Sequence, residues 1–300
     1  MKNLIAATYA PMNGKAELEV SRVDAYASFL KRNKVAGVFI NGSTGDFSSL
    51  SIEERNQLAA AWGSQRDSNF KVVNHIGHTN LKEAITMAEF SSEFVDAIAT
   101  LSPYYFKPSS LEKLVFYCAE IAKSAPNLPF YYYHIPDLTG AHFDMLSFTT
   151  LAKEQIPSFA GLKFTQNNFI HYAKVQEHYR ATSDVALFGV DECFLSSLPL
   201  GAKGWVGSTY NHLAPLYYKI KECFEEGNHE EAAMLQQKAI AFVDLVASYG
   251  GFNGGGKSVM KILGIDCGAS RYPHTTLTDK QLKELTTQID GLGLSPYLSV

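Results

Sequence analysis

The sequence predicts an α/β chain: a TIM (β/α)8 barrel with a C-terminal helical extension. Three observations carry that expectation. Short β-like runs alternate with helical ones through most of the chain, eight such runs can be counted, and most are apolar almost throughout, as strands covered on both faces are. A doubly wound sheet is the alternative.

The runs lie at 4–10, 35–41, 71–77, 96–102, 130–135, 160–165, 185–190 and 204–208. Between them, Ser51 with Glu54 and Ser109 with Glu112 have the spacing of capping boxes, in which a hydroxyl and a carboxylate satisfy free backbone N–H groups at a helix start. A helix that begins just beyond a strand's C-terminal end leaves the connecting loop on the barrel's upper rim, where such folds keep their chemistry. After residue 208 the pattern turns helical, over 213–226, 229–249, 258–263 and 279–289. This exceeds one closing helix. The expected division is a barrel over 1–230 and an appended segment over 231–300, within one domain because no linker-like stretch separates them.

Composition narrows the function. The chain has 300 residues, 46% of them hydrophobic, enough for a full core. Its formal charge of −4, with no dense run of lysine and arginine, argues against nucleic acid as a partner. No apolar run approaches the roughly 20 residues needed to span a bilayer, and residues 1–5 lead straight into a strand pattern, so a cytoplasmic chain without membrane contact is expected. Cys118, Cys193, Cys223 and Cys267 are scattered with no C-x-x-C pair, which fits reduced thiols. His75 and His78 lack a third ligand nearby, and no metal is expected.

Lys163 is the odd residue in the strand-like stretch Phe159-Ala160-Gly161-Leu162-Lys163-Phe164-Thr165. An ammonium held among apolar groups loses hydration, so a fraction becomes the free amine able to attack a ketone. The alternative is a lysine on a solvated strand edge. Its companions stand at other strand ends. Gly42-Ser43-Thr44-Gly45-Asp46 is a glycine-rich turn able to cradle a carboxylate, or a plain tight turn. Tyr131-Tyr132-Tyr133-His134 ends the fifth strand, and alternation turns only one or two of those phenols inward. Tyr104-Tyr105-Phe106 forms an aromatic loop after the fourth, suited to a lid or a subunit contact. Gly189-Val190-Asp191-Glu192 offers two carboxylates, better suited to a polyhydroxylated substrate than to a metal, and Gly207-Ser208-Thr209 ends the eighth.

Together these motifs resemble the N-acetylneuraminate lyase and dihydrodipicolinate synthase superfamily of lysine-dependent aldolases. Tyr-Tyr-Tyr-His-Ile-Pro at 131–136, Gly-Leu-Lys-Phe at 161–164, Phe-Gly-Val-Asp-Glu at 188–192 and Gly-Ser-Thr-Tyr-Asn at 207–211 are similar to its sialic acid lyase branch. The resemblance implies a homotetramer needing no metal or organic cofactor, which cleaves N-acetylneuraminate to N-acetylmannosamine and pyruvate. It implies four catalytic residues: Lys163 as the Schiff-base lysine, Tyr133 as the proton-relaying phenol, Thr44 at the carboxylate turn, and Tyr105, which reaches into a neighbouring subunit's site. Ser43 joins Thr44 on the substrate carboxylate, and Thr165, Gly189, Asp191, Glu192 and Ser208 contact the sugar. Two departures stand out. Asp46 replaces the family's common glutamate, and Asp137-Leu138-Thr139 lies where the synthase branch usually carries an arginine. The second argues against the synthase and leaves another 2-keto acid aldolase of the same fold as the runner-up.

A motif of a different class competes. Gly251-Phe252-Asn253-Gly254-Gly255-Gly256-Lys257-Ser258 matches the P-loop pattern letter for letter. A P-loop must follow a strand, whereas the residues at 239–249 read as helix, so a helix-ending loop near the barrel mouth is expected instead.

Overall fold

A computed structural model describes residues 2–300. β1 (Asn3–Ala7), β2 (Gly37–Ile40), β3 (Lys71–His75), β4 (Ala97–Leu101), β5 (Phe130–His134), β6 (Phe159–Phe164), β7 (Val185–Phe188) and β8 (Gly204–Gly207) form a closed parallel barrel in sequence order. β1 pairs with both β2 and β8, which closes the ring. Every strand stops short of its expected C-terminal end, because the residues there leave the ladder to build the upper rim; Asn41, for example, turns to φ +56°.

The helices are α1 (Val23–Arg32), α2 (Ile52–Gly63), α3 (Leu81–Ser91), α4 (Leu111–Ser124), α5 (Pro136–Thr139), α6 (Met145–Gln155), α7 (Phe169–Tyr179), α8 (Phe194–Ser197), α9 (Tyr210–Glu225), α10 (His229–Ser248), α11 (Lys257–Val259) and α12 (Asp279–Gly291). Ser51 and Glu54 form the reciprocal capping box at the start of α2. The second expected box is displaced. Ser110, not Ser109, caps α4, and Lys113 stands where a reciprocating carboxylate would be needed.

Strand alternation sorts the side chains into two cores. Phe39, Val73, Ala99, Tyr131, Tyr133 and Leu187 pack inside the barrel. Tyr132 points outward against Phe148, with ring centres 4.4 Å apart. Thus two of the three consecutive tyrosines face in.

The β7 unit departs from the regular pattern, since its helix α8 has four residues. α10 packs over it. The Gln236 side chain accepts from the Leu195 amide at 2.9 Å and donates to the Asp191 carbonyl at 3.3 Å. α9 also departs from its expected start, because Tyr210–His212 make a first turn before a kink at Leu213 (φ −132°), after which Pro215 is tolerated in a fresh first turn. The helix expected over 258–263 is mostly absent. The chain makes a π-helical turn at Phe252–Gly256, the single short α11, and then loops. Packing explains the tight winding: a Cβ on Gly256 would lie 2.6 Å from the Tyr9 hydroxyl, and one on Gly254 2.8 Å from the Thr275 carbonyl.

Candidate active site

Lys163 reaches the barrel interior through a fault in β6. Phe159, Leu162 and Phe164 all face the outer core, although strict alternation would put Phe159 and Leu162 on opposite faces. The pairing with β5 shows why. Phe130 is opposite Phe159 and Tyr131 opposite Gly161, so Ala160 is an extra residue, a β-bulge. Gly161 adopts φ +136° there, and a Cβ on it would lie 2.0 Å from the Val185 carbonyl. Only glycine fits. The extra residue reverses the parity of everything after it and turns Lys163 inward, in register with Tyr133 on β5 and Leu187 on β7.

Aromatic rings surround the amine. Lys163 is 4% exposed, and its Nζ lies 4.2 Å from the centre of the Phe39 ring and 3.9 Å from that of Tyr133. Among the described residues no carboxylate pairs with it. This is the apolar enclosure that the sequence implied, and it removes the solvated-edge alternative. Tyr133 packs edge-on against both Phe39 and His75. His75 donates from Nδ1 to the Asn41 carbonyl at 2.7 Å, and burial, reinforced by the Arg55 charge, holds its pKa well below the usual value. It is therefore a neutral imidazole, tied to the backbone.

Directly above, the turn after β2 brings hydroxyls to the floor. Ser43 Oγ lies 3.4 Å from the Tyr133 hydroxyl, and Thr44 Oγ1 lies 2.6 Å from Ser208 Oγ at the end of β8. Asp46 closes the turn at φ +51°, its carboxylate accepting from Ser49 Oγ at 2.6 Å. The shorter acid thus caps its own turn.

The carboxylates at the end of β7 behave differently from each other. β7 and β8 share one register pair, Phe188 with Trp205, and Asp191 bridges the gap above it. Its Oδ2 accepts from the Thr209 amide at 3.0 Å and the Thr209 hydroxyl at 2.6 Å, while Oδ1 is buried without a partner. Burial raises its pKa, with the Thr209 bonds, then the nearby Tyr210 hydroxyl and, more weakly, the Lys163 charge acting in opposition. Glu192 is half-buried, and burial and then the Asp191 charge raise its pKa too. Beside them, a Cβ on Gly189 would lie 2.2 Å from Thr165 Oγ1, a buried hydroxyl with no partner. The glycine leaves that hydroxyl free.

A cleft of about 490 Å³ opens above the turn, lined by Ser43, Thr44, Asp46, Phe47, Tyr104, Leu138, Ser208, Phe252, Asn253 and His274 among others. Lys163, Tyr133, Thr165, Gly189, Asp191 and Glu192 are not on that wall; they stand on or at the ends of β5, β6 and β7. Tyr105 is not brought to the cleft. It is 77% exposed, next to Phe106 at 87%, while its neighbour Tyr104 packs edge-on against Phe47. Sequence reasoning missed Asn253 and His274 as lining residues. The only available signal was the glycine-rich run itself, read as a bland loop.

That run does not build a nucleotide site. It follows α10 rather than a strand, which overturns the P-loop match. Lys257 and Ser258 are buried, Lys257 Nζ donating to the Ala269 carbonyl at 2.7 Å and Ser258 Oγ to the Gly254 carbonyl at 2.9 Å. Burial lowers the Lys257 pKa to about 8.

The whole arrangement has close relatives. The sequence pattern of the Dihydrodipicolinate synthetase family matches residues 1–291. N-acetylneuraminate lyase A of Xenopus laevis is 37% identical over 296 residues, covering 94% of this chain and 96% of its own. Among solved structures, Proteus mirabilis N-acetylneuraminate lyase superposes with a TM-score of 0.93 at 32% identity, over 97% of this chain and 98% of the other. A structure described as the catalytic lysine mutant of Ruminococcus gnavus sialic acid aldolase superposes with a TM-score of 0.90 at 26% identity, over 99% and 98%.

Proposed function

The chain belongs to the Dihydrodipicolinate synthetase family, and from that premise we propose that it is an N-acetylneuraminate lyase, a carbon–carbon lyase working through a Schiff base on Lys163. The observation that carries this reading is the position of Lys163: an unpaired amine inside the barrel, 3.9 Å from the ring of Tyr133, whose hydroxyl lies 3.4 Å from Ser43 Oγ. Relatives named for the same activity along nearly the whole chain support it.

The Lys163 amine attacks the C2 ketone of open-chain N-acetylneuraminate, whose carboxylate sits on the Ser43–Thr44 turn. Transfer of the amine proton to the oxygen gives a carbinolamine. Tyr133 then donates its phenolic proton to the departing hydroxide, water leaves, and an iminium remains. The resulting phenolate takes the proton from the C4 hydroxyl; the C3–C4 bond breaks, its electron pair flows to the iminium nitrogen, and N-acetylmannosamine departs as the aldehyde. Tyr133 returns its proton to C3 of the enamine, and water hydrolyses the iminium to release pyruvate. The iminium is the electron sink, so the scheme uses no metal or organic cofactor.

Thr165, Gly189, Asp191, Glu192 and Ser208 take the sugar portion, the free Asp191 Oδ1 and Thr165 hydroxyl being the groups left to meet its hydroxyls. Tyr105 acts across a subunit boundary in a homotetramer, a role consistent with the exposure of Tyr105 and Phe106. On this reading the barrel and the helical extension form one domain and the enzyme works in the cytoplasm.

The test is intact mass after incubation with N-acetylneuraminate and borohydride, with Lys163→Ala as control. A reduced pyruvate adduct on Lys163 formed from the sialic acid reports cleavage and Schiff base together. An adduct from pyruvate alone would reassign the enzyme to another keto-acid aldolase, and no adduct from either would sink the aldolase reading.

A further inference from the structure

The glycine-rich run that mimics a P-loop is left without a function by the mechanism, yet it delivers one polar side chain to the mouth. The π-helical turn Phe252–Gly256 is wound so closely that three consecutive glycines are needed. A Cβ on Gly255 would lie 2.9 Å from the Tyr249 carbonyl, and Gly254 and Gly256 are as confined. Turns of this kind concentrate at functional positions. Asn253 projects from it. Its Nδ2 donates to the Ser43 carbonyl at 3.0 Å and stands 3.3 Å from His274 Nε2. Its own carbonyl accepts from Ser270 Oγ at 2.6 Å, which fixes the turn against the segment carrying His274.

An amide nitrogen only donates, so His274 Nε2 accepts and sets the orientation of the Asn253 side chain. The Ser43 carbonyl then receives two donors, the Asp46 amide at 3.0 Å and Asn253. Within the turn that carbonyl is what the C-terminal segment grips. Its direction governs where the Ser43 and Thr44 N–H and hydroxyl groups point.

We infer that Asn253, held by His274, is a positioning residue that orients the Ser43–Thr44 turn for the carboxylate of the keto acid. The inference rests on the aldolase reading above. It gives the extension a role in substrate recognition through a residue that is 210 positions away from Ser43 in sequence.

The experiment is borohydride trapping on the full-length protein at increasing pyruvate, repeated with methyl pyruvate, which carries the same ketone without the charge. Losing one hydrogen bond to the turn should raise the half-saturating pyruvate concentration about tenfold in Asn253→Ala. His274→Ala should raise it by a smaller factor, and it keeps the question open to measurement if the first variant fails to fold. The methyl ester's half-saturation should not move in either. Equal shifts for acid and ester, or no shift for either, would overturn the inference, because a general loosening of the site treats both ligands alike. A wild-type protein that traps neither pyruvate nor sialic acid is a different result: it removes the aldolase reading and this inference with it.

Discussion

Tyr133 and Lys163 are register partners on adjacent parallel strands, and the amine sits 3.9 Å from the centre of the phenol ring. Pairing on the sheet, not loop geometry, therefore sets the spacing of the two groups proposed to react. Such groups are positioned more rigidly than loop residues.

Tyr133→Phe keeps the ring beside Lys163 and deletes the hydroxyl proposed as the proton relay. Turnover should fall by about 10² to 10⁴, while a slow borohydride adduct on Lys163 persists. A steady-state assay for pyruvate release checks this, and a variant within twofold of wild type would move the proton transfer elsewhere.

Gly161→Ala strikes the bulge. With φ at +136° and the Val185 carbonyl 2.0 Å from the added Cβ, stability should drop by about 2–4 kcal/mol, measured by urea unfolding. Any folded remainder should form less adduct per molecule than wild type, because relieving the strain removes the parity reversal that turns Lys163 inward.

Asp191→Asn separates stability from function. Its raised pKa means that the folded state binds the proton more tightly than the unfolded chain does. Burial of the charge therefore lowers stability progressively as pH rises from the ordinary value of 3.8 to the shifted one, and the penalty is full above it. The amide keeps an acceptor for Thr209 and escapes that penalty. Its melting temperature should exceed wild type by a few degrees at neutral pH, with the gap closing in acid, while kcat/KM for N-acetylneuraminate falls.

His212 should shape the acid limb of stability. It is buried among Tyr9, Phe242 and Phe252, donates to the Gly256 carbonyl at 2.9 Å, and burial lowers its pKa to about 4 from 6.5. A depressed histidine leaves the unfolded chain holding more protons, so stability is intact above 6.5 and is lost as pH falls toward 4, by about 3 kcal/mol at most. Urea midpoints across that window should decline, and His212→Gln, weaker at neutral pH, should show a shallower decline.

Much of this was readable in advance because central strands of a parallel barrel are apolar, which makes a lysine in one conspicuous. The rim motifs followed for the same reason: residues 42–46, 189–192 and 207–211 are the polar ends of apolar runs. Three things were not legible. The bulge at Ala160 and Gly161 changes no letter of the hydrophobic pattern. Asn253 and His274 meet Ser43 and Asp46 only through tertiary folding across more than 200 positions, for which local periodicity has no signal. The run Gly254-Gly255-Gly256 was misleading in the opposite way, since close packing against Tyr9, Tyr249 and Thr275 demands the same residues that phosphate binding would.

A chain made from its N-terminus meets these contacts late. β1 waits for β8 before its second edge is covered, and the turn at Ser43 waits longer still, for Asn253 and His274. A growing chain that already carries Tyr133 and Lys163 thus has an open-edged sheet and a Ser43 turn without its Asn253 contact. The ring that holds Tyr133 and Lys163 side by side can close only after β8 is made, when about two thirds of the polypeptide has been added.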